Sequence, residues 1–153
     1  MLELSSGSIY LADEFVRNSA ADSLSNIESA ETQRDRPRLL VVDDEKLIAE
    51  TCAEILEGSG FYVKTAYDGW TALQMAAEFH PDYLLTDVLM PKMNGVELAI
   101  AIQKMSPAIK ILLFSGQAGI SKILHDGYDL GYEFELIAKP VHPLKLIESL
   151  RRL

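Results

Sequence analysis

The sequence predicts an α/β protein in which a doubly wound, five-stranded parallel sheet lies within residues 38–153. From residue 38 onward, strand-like and helix-like patterns alternate five times, and this alternation is typical of parallel strands joined by right-handed crossovers. Four of the strand-like segments contain continuous apolar runs, as expected for strands that helices cover on both faces. Each of these four runs ends at an acidic, hydroxyl or ammonium side chain.

The strands are predicted from these apolar runs and from β-branched residues. The second strand, Tyr62–Ala66, is the least apolar of the five and is therefore predicted to lie at an edge of the sheet. With boundaries accurate to a few residues, strands are expected near 38–43, 61–66, 82–87, 109–114 and 134–138.

A helix is predicted after each strand. The first helix contains Ile48, Cys52 and Ile55 at helical spacing, and we interpret Cys52 as a small buried apolar residue in preference to a reactive thiol. The pair Asn94-Gly95 is typical of a tight turn and is expected to lead into the third helix. Helices are expected near 45–58, 68–79, 95–105, 118–127 and 142–152.

Residues 1–37 differ in composition from the rest of the chain. They are rich in Ser, Ala, Asp and Glu and end in a charged run before Pro37, so we predict an N-terminal tail or linker. A narrow apolar stripe also fits a helix that docks on this domain, on a second copy of it or on a partner. The linker and the docking helix both stay open as interpretations. The stripe consists of Ala12, Val16, Ala20, Leu24 and Ile27.

Composition and charge argue against several classes of protein. A hydrophobic fraction of 48% with 24% charged residues is typical of a globular protein, and no apolar run is long enough to span a bilayer. The net charge of −9 and the scattered basic residues argue against nucleic-acid binding. Glu3, Asp13 and Glu14 argue against a signal peptide, and the single cysteine permits no internal disulfide. A cytoplasmic location is therefore expected.

The polar residues at the strand ends are predicted to form one pocket. In open α/β sheets the carboxyl ends of the strands line the crevice where ligands bind. The carboxylates of Asp43, Asp44 and Asp87 would repel one another there unless a cation lies among them. Oxygen donors favour a hard divalent ion, so Mg²⁺ is the expected cofactor. Ser115 and Lys139 would complete the pocket, and the ammonium group would be attracted to the carboxylates.

Each of these residues also has a purely structural interpretation. Asp43 and Asp44 can stabilise the positive end of the helix that follows them, Asp87 can cap a loop, and Lys139-Pro140 can end a strand. As a set, they favour phosphoryl chemistry, with Asp87 as the nucleophile and Lys139 as a neutralising group. No G-x-G-x-x-G or P-loop motif follows any predicted strand, which argues against nucleotide binding.

The ordered set of motifs resembles the receiver domain of two-component response regulators over about residues 37–153. The resemblance is carried by Asp43-Asp44, Asp87, Met90-Pro91, Asn94-Gly95, Ser115 and Lys139-Pro140. It implies the flavodoxin-like strand order 2-1-3-4-5. It also implies a signalling domain that takes part in its own phosphorylation and dephosphorylation but is not a conventional turnover enzyme.

The resemblance assigns a role to three side chains of the pocket. Asp87 would accept a phosphoryl group from a histidine kinase or a histidine phosphotransfer protein. Lys139 would neutralise phosphoryl oxygens, and Ser115 would donate a hydrogen bond to the attached group. A cis peptide bond is implied before Pro140.

The resemblance also implies the metal ligands. Asp44 and Asp87 would bind Mg²⁺ directly, Asp43 would act through water, and the backbone carbonyl of Leu89 would supply a further ligand. Leu89 and Gln117 would lie beside the phosphoryl group, so we expect both residues to influence how water reaches it.

One position departs from the family pattern. An aromatic residue usually lies three positions before the strand-end lysine, and this chain has Leu136 there. Phe134 lies two residues earlier, on the same face of the strand. We therefore expect an atypical signalling surface around the fourth helix and the fifth strand.

The sequence bears on three functional hypotheses. The first is a stand-alone or relay receiver that signals through an unknown downstream protein and has no DNA-binding output domain. The alternative is a receiver-like interaction module that is not phosphorylated. A hydrolytic phosphatase of the haloacid-dehalogenase type is disfavoured, because such enzymes need a second Asp where this chain has Leu89. The oligomeric state stays open.

Overall fold

The computed structural model describes residues 23, 24, 26 and 27 and residues 35–116 and 119–153. The chain divides into two compact units, residues 1–36 and residues 37–153. In the first unit, Leu24 and Ile27 have helical backbone and exposed side chains. The other three positions of the predicted apolar stripe lie outside the described residues, so both interpretations of residues 1–37 stay predictions.

The described part of the second unit contains five strands and five helices that alternate along the chain. The strands are β1 (Arg38–Val42), β2 (Tyr62–Ala66), β3 (Tyr83–Asp87), β4 (Lys110–Ser115) and β5 (Glu135–Ala138). The helices are α1 (Lys46–Gly58), α2 (Gly69–Phe79), α3 (Gly95–Met105), α4 (Ser121–Asp129) and α5 (Pro143–Arg152).

All five strands are parallel and lie in the order β2-β1-β3-β4-β5. This arrangement confirms the predicted fold class, the strand order and the edge position of β2. The register places Val42 beside Thr86, and Ser115 beside Ala138. The residues that end or follow β1, β3, β4 and β5 therefore lie along one edge of the sheet.

Each face of the sheet has its own apolar core. In β1, Leu40 and Val42 belong to the first core, and Leu39 and Val41 belong to the second, because successive side chains of a strand point to opposite faces. Residues of α2, α3 and α4 complete the first core, and residues of α1 and α5 complete the second. This burial on both faces explains why the central strands have continuous apolar sequences. Among the described helices, none has the length and hydropathy of a membrane span.

The fourth helix differs most from its predicted position. It spans Ser121–Asp129, whereas the sequence predicted a helix near 118–127. Gly119 has a φ of 93°, which is incompatible with a right-handed helix and favours glycine. The helix therefore begins only after Ile120, its N-cap residue.

Candidate functional site

Three carboxylates meet at the carboxyl edge of the sheet. Asp43 and Asp44 directly follow β1, and Asp87 is the last residue of the neighbouring β3. One oxygen atom from each carboxylate lies within 4.8 Å of the others. Asp43 is fully buried, Asp87 is 7% exposed and Asp44 is exposed. The structure thus brings together the acidic residues that the sequence predicted, in a pocket that is open to solvent at Asp44.

Backbone groups hold the two buried carboxylates in place. The amide of Glu45 donates to Asp43 Oδ1 over 2.9 Å, and the amide of Val88 donates to Asp87 Oδ1 over 2.9 Å. The amide of Asp43 itself donates to the carbonyl oxygen of Ala66 over 3.2 Å. The positions of both carboxylates are therefore set by the folded backbone before any ligand binds.

Lys139 enters the same pocket from the end of β5. Its peptide bond to Pro140 is cis, as the family resemblance implied. Its Nζ lies 2.7 Å from Asp43 Oδ2 and 3.6 Å from Asp87 Oδ1, and its side chain is 16% exposed. Its backbone amide donates to the carbonyl oxygen of Ser115 over 3.0 Å. The ammonium group thus compensates part of the negative charge of the carboxylates.

The environment of Asp87 disfavours its charged form. Burial is the largest cause and raises the pKa of Asp87 from 3.8 to about 6, with Asp43 and Asp44 acting in the same direction. Lys139 and the hydrogen bond from Val88 lower this pKa but do not cancel the effect of burial. A cation that entered the pocket would favour the ionised form of Asp87.

The donor set fits a hard divalent ion. Asp43, Asp44 and Asp87 offer clustered oxygen atoms, and Mg²⁺ binds through such oxygens. When bound, Mg²⁺ would supply positive charge next to the Asp87 carboxylate. Leu89 lies two residues after Asp87 and is half-buried, and the role of its carbonyl as a further ligand stays a prediction.

The loop between β3 and α3 packs tightly against the site. The amide of Gly95 donates to the carbonyl oxygen of Val88 over 2.8 Å, and a Cβ atom at position 95 would collide with the carbonyl oxygen of Asp87. Asn94 caps α3 by accepting a hydrogen bond from the amide of Glu97 over 2.9 Å. Asn94 and Gly95 thus lead into the third helix as its N-cap and first residue, and the glycine is required because the loop lies so close to Asp87.

Ser115 ends β4 beside the pocket and is 6% exposed. Leu136, on the neighbouring β5, is 44% exposed, so the position that usually carries an aromatic residue faces solvent. Phe134 instead packs on the first core and stacks on Tyr132 with the ring centroids 6.1 Å apart. Gln117 lies outside the described residues, and its predicted role is not described by the structure.

The structure adds one residue that the sequence reasoning missed. The Nζ atom of Lys139 lies 4.3 Å from the centroid of the Phe114 ring. Phe114 ends an apolar run, and that pattern by itself indicates only a core residue. An aromatic residue directly before the strand-end hydroxyl, on a strand adjacent to the one with the lysine, is the signal that could have indicated this contact.

The three histidines lie at helix ends or at an exposed helix position. His80 is the C-cap of α2, and His142 is the N-cap of α5. His125 lies on α4 near Asp129, with 3.5 Å between Nε2 and Oδ2. None of them belongs to an acidic or metal-ligating cluster within the described residues.

A five-stranded sheet in this order, with an acidic triad and a lysine at its carboxyl edge, defines a class of signalling domain. The chain matches the model of the response regulator receiver domain over residues 39–151, and it belongs to that family.

Two sets of relatives support this assignment. Response regulators MprA of Mycobacterium ulcerans and Mycobacterium tuberculosis are 32% identical to the chain over 116 residues, which is 76% of this chain and 49% and 50% of those proteins. The chain therefore spans about half the length of these curated relatives. Chemotaxis protein CheY4 of Vibrio cholerae is 28% identical with a TM-score of 0.68, covering 76% of this chain and 98% of that chain. A CheY-like receiver domain protein of Methanospirillum hungatei is 27% identical with a TM-score of 0.70, covering 77% and 93%.

Proposed function

We propose that residues 38–153 form a receiver that accepts a phosphoryl group on Asp87 in the presence of Mg²⁺, and that residues 1–37 form a tail or linker. The observation that carries this proposal is the position of Asp87, a nearly buried carboxylate beside two other carboxylates and 3.6 Å from the Lys139 ammonium group. Lys139 and a bound Mg²⁺ would together place positive charge where an incoming phosphoryl oxygen needs it.

Each side chain has a defined task in this proposal. An Asp87 oxygen attacks the phosphorus atom in line, the bond from phosphorus to the donor breaks, and the donor leaves with the bonding electron pair. Lys139 donates to a phosphoryl oxygen, and the Ser115 hydroxyl donates to another. Asp43 keeps Lys139 inside the pocket through the contact of 2.7 Å.

Membership of the receiver family supports a proposal about the partners. We propose that a histidine kinase or a histidine phosphotransfer protein supplies the phosphoryl group and that the signal passes on through a protein contact. A cytoplasmic location and the absence of nucleic-acid binding by this domain belong to the same proposal. The chain has a net charge of −9, and phosphate backbones attract basic surfaces.

The intact mass of the protein after incubation with acetyl phosphate tests the phosphoacceptor. We expect the mass of one phosphoryl group to be added with Mg²⁺ and not with EDTA. Asp87→Asn should remain unmodified, whereas Asp126→Asn, which alters an exposed carboxylate of α4, should be modified as the parent is. Equal modification of Asp87→Asn and the parent would show that Asp87 is not the acceptor.

One observation keeps the interaction module as a second candidate. Leu136 is 44% exposed where receivers usually carry a mobile aromatic residue, so phosphorylation would have a weaker connection to the outer surface. Amide hydrogen exchange over residues 119–138, with and without the phosphoryl group, distinguishes the two candidates. Changed exchange supports a phosphorylation-dependent signal, and unchanged exchange in a fully phosphorylated sample supports constitutive binding.

A phosphatase would release phosphate repeatedly from small esters. We expect no turnover of p-nitrophenyl phosphate beyond the amount of protein present. Sustained turnover that Asp87→Asn abolishes would favour the phosphatase instead.

A further inference from the structure

Phe114 places an aromatic face next to the functional lysine. The distance of 4.3 Å from Lys139 Nζ to the ring centroid is within the range of about 6 Å in which a ring attracts a cation. Phe114 is 3% exposed, and the Lys139 side chain is 16% exposed. The contact is thus largely shielded from water, which strengthens an electrostatic attraction.

This contact differs from the other cation–aromatic contacts in the described residues. The other distances from a cation to a ring centroid range from 4.9 to 5.8 Å. Lys46, Lys64 and Lys110, which make three of those contacts, are exposed. The Lys139 contact has the shortest distance in this set, and its cation also touches two of the clustered carboxylates. It therefore belongs to the site and is not an incidental surface contact.

The fold fixes the relative positions of the ring and the lysine. Phe114 pairs with Ile137 of β5 and belongs to the second core, so its ring cannot turn away without opening that core. The amide of Lys139 is bonded to the carbonyl oxygen of Ser115. A Cβ atom at Gly116 would lie 3.1 Å from Lys139 Cβ. These contacts leave the Lys139 side chain little freedom near the backbone, and its outer end rests on the ring.

A groove that is open to solvent lies beside Lys139. Phe114 and Lys139 line a groove between α1 and α5 together with Leu47, Cys52 and Pro143. Without an attractive ring, a long lysine side chain could place its ammonium group in this groove, where water would hydrate it. The ring opposes that loss, because its attraction adds to that of the carboxylates and favours the position in which Nζ lies 4.3 Å from the ring centroid and 2.7 Å from Asp43 Oδ2.

We propose that Phe114 is a positioning residue for Lys139, whose ring holds the ammonium group between Asp43 and Asp87. The inference rests on the proposed phosphoryl-accepting function for its effect on rate, but the contact itself does not depend on that function. Phe114 touches no reacting atom in this proposal. It acts by raising the fraction of molecules in which the Lys139 ammonium group lies inside the pocket, where it can donate to a phosphoryl oxygen.

Fluorinated phenylalanines test this role without changing the shape of the core. One, two and three fluorine atoms at position 114 progressively weaken the negative face of the ring. The rate constant for phosphorylation by acetyl phosphate should fall with each fluorine, and Phe114→Leu should lower it about three- to thirtyfold, as expected for a shielded cation–aromatic contact. A rate constant that is the same across the fluorinated series in a phosphorylated parent would overturn the inference. So would a decrease that follows the loss of folded protein and not the number of fluorine atoms.

A second measurement distinguishes failure of this inference from failure of the proposed function. With lysines labelled at Cε, the Hε protons of Lys139 should show an upfield ring-current shift in the NMR spectrum of the unphosphorylated protein. Phe114→Leu should remove this shift and leave unchanged the signals of Lys110, which lies over Tyr83. If the parent is never phosphorylated but the shift is present, the contact stands and the proposed function fails. If Lys139 shows no such shift, the inference about Phe114 is wrong.

Discussion

Replacing Asp87 with Asn should stabilise the metal-free protein. Asp87 is 7% exposed, and burial together with two neighbouring carboxylates raises its pKa from 3.8 to about 6. Each unit corresponds to about 1.4 kcal/mol, so the ionised side chain costs the folded state about 3 kcal/mol at neutral pH. Asn has the same shape, carries no charge and can still accept the hydrogen bond from Val88. We therefore expect a gain in unfolding free energy that approaches 3 kcal/mol near pH 7.5.

The pH dependence of this gain has a defined sign. Because the folded pKa is the higher one, the stability contributed by Asp87 is fully present below the unfolded pKa near 3.8 and is lost as the pH rises through about 6. The advantage of Asp87→Asn should thus be full above about pH 6 and absent below about pH 4.

Urea unfolding in EDTA, followed by far-UV circular dichroism at several pH values, measures this difference. Asp126→Asn, at an exposed site on α4, is the matched control and should change stability by less than about 0.5 kcal/mol. An Asp87→Asn variant that is no more stable than the parent at pH 7.5 would refute the reasoning about burial and charge.

Three further predictions follow from the same geometry. Because Asp87 takes up a proton at about pH 6, Mg²⁺ should bind about tenfold more weakly at pH 5 than at pH 7.5 by calorimetry; equal affinities would contradict the raised pKa. Gly95→Ala should lower the unfolding free energy by about 3 kcal/mol or more because its Cβ would collide with the Asp87 carbonyl. Gly58→Ala, where a Cβ meets nothing within 4 Å, is the control and should stay within about 1 kcal/mol of the parent; similar losses in both variants would remove this explanation. Cys52 is buried and burial raises its pKa to about 11, so iodoacetamide should modify it at least about a hundredfold more slowly than glutathione at pH 8. Comparable rates would show that the thiol is accessible.

The sequence predicted the fold and most of the pocket because both depend on simple patterns. Apolar runs indicated covered parallel strands, and in a parallel sheet the ends of the strands meet at one edge. Asp43, Asp87 and Lys139 could therefore be placed together from their positions at those ends. The strand order came from the family resemblance, and the structure confirms it.

Other features depended on distances that no local pattern contains. Phe114 has the sequence context of an ordinary core residue, and its contact with Lys139 exists only because β4 and β5 pair in one register. The later start of α4 depends on the backbone angle of Gly119. The raised pKa of Asp87 results from burial by the whole fold, so the aspartate at the end of β3 could be identified from sequence but its proton affinity could not.

The contact between Lys139 and Asp43 also determines the charge balance of the pocket. With the lysine protonated, the three carboxylates and one ammonium group leave two negative charges, which one divalent cation would neutralise. A pocket neutralised in this way has no surplus positive charge for an arriving anion. A phosphoryl group would then have to compete with Asp43 for the lysine, so the 2.7 Å contact is the internal bond that phosphorylation would break. The strength of the ion pair between Lys139 and Asp43 would therefore help to determine the lifetime of the phosphorylated protein.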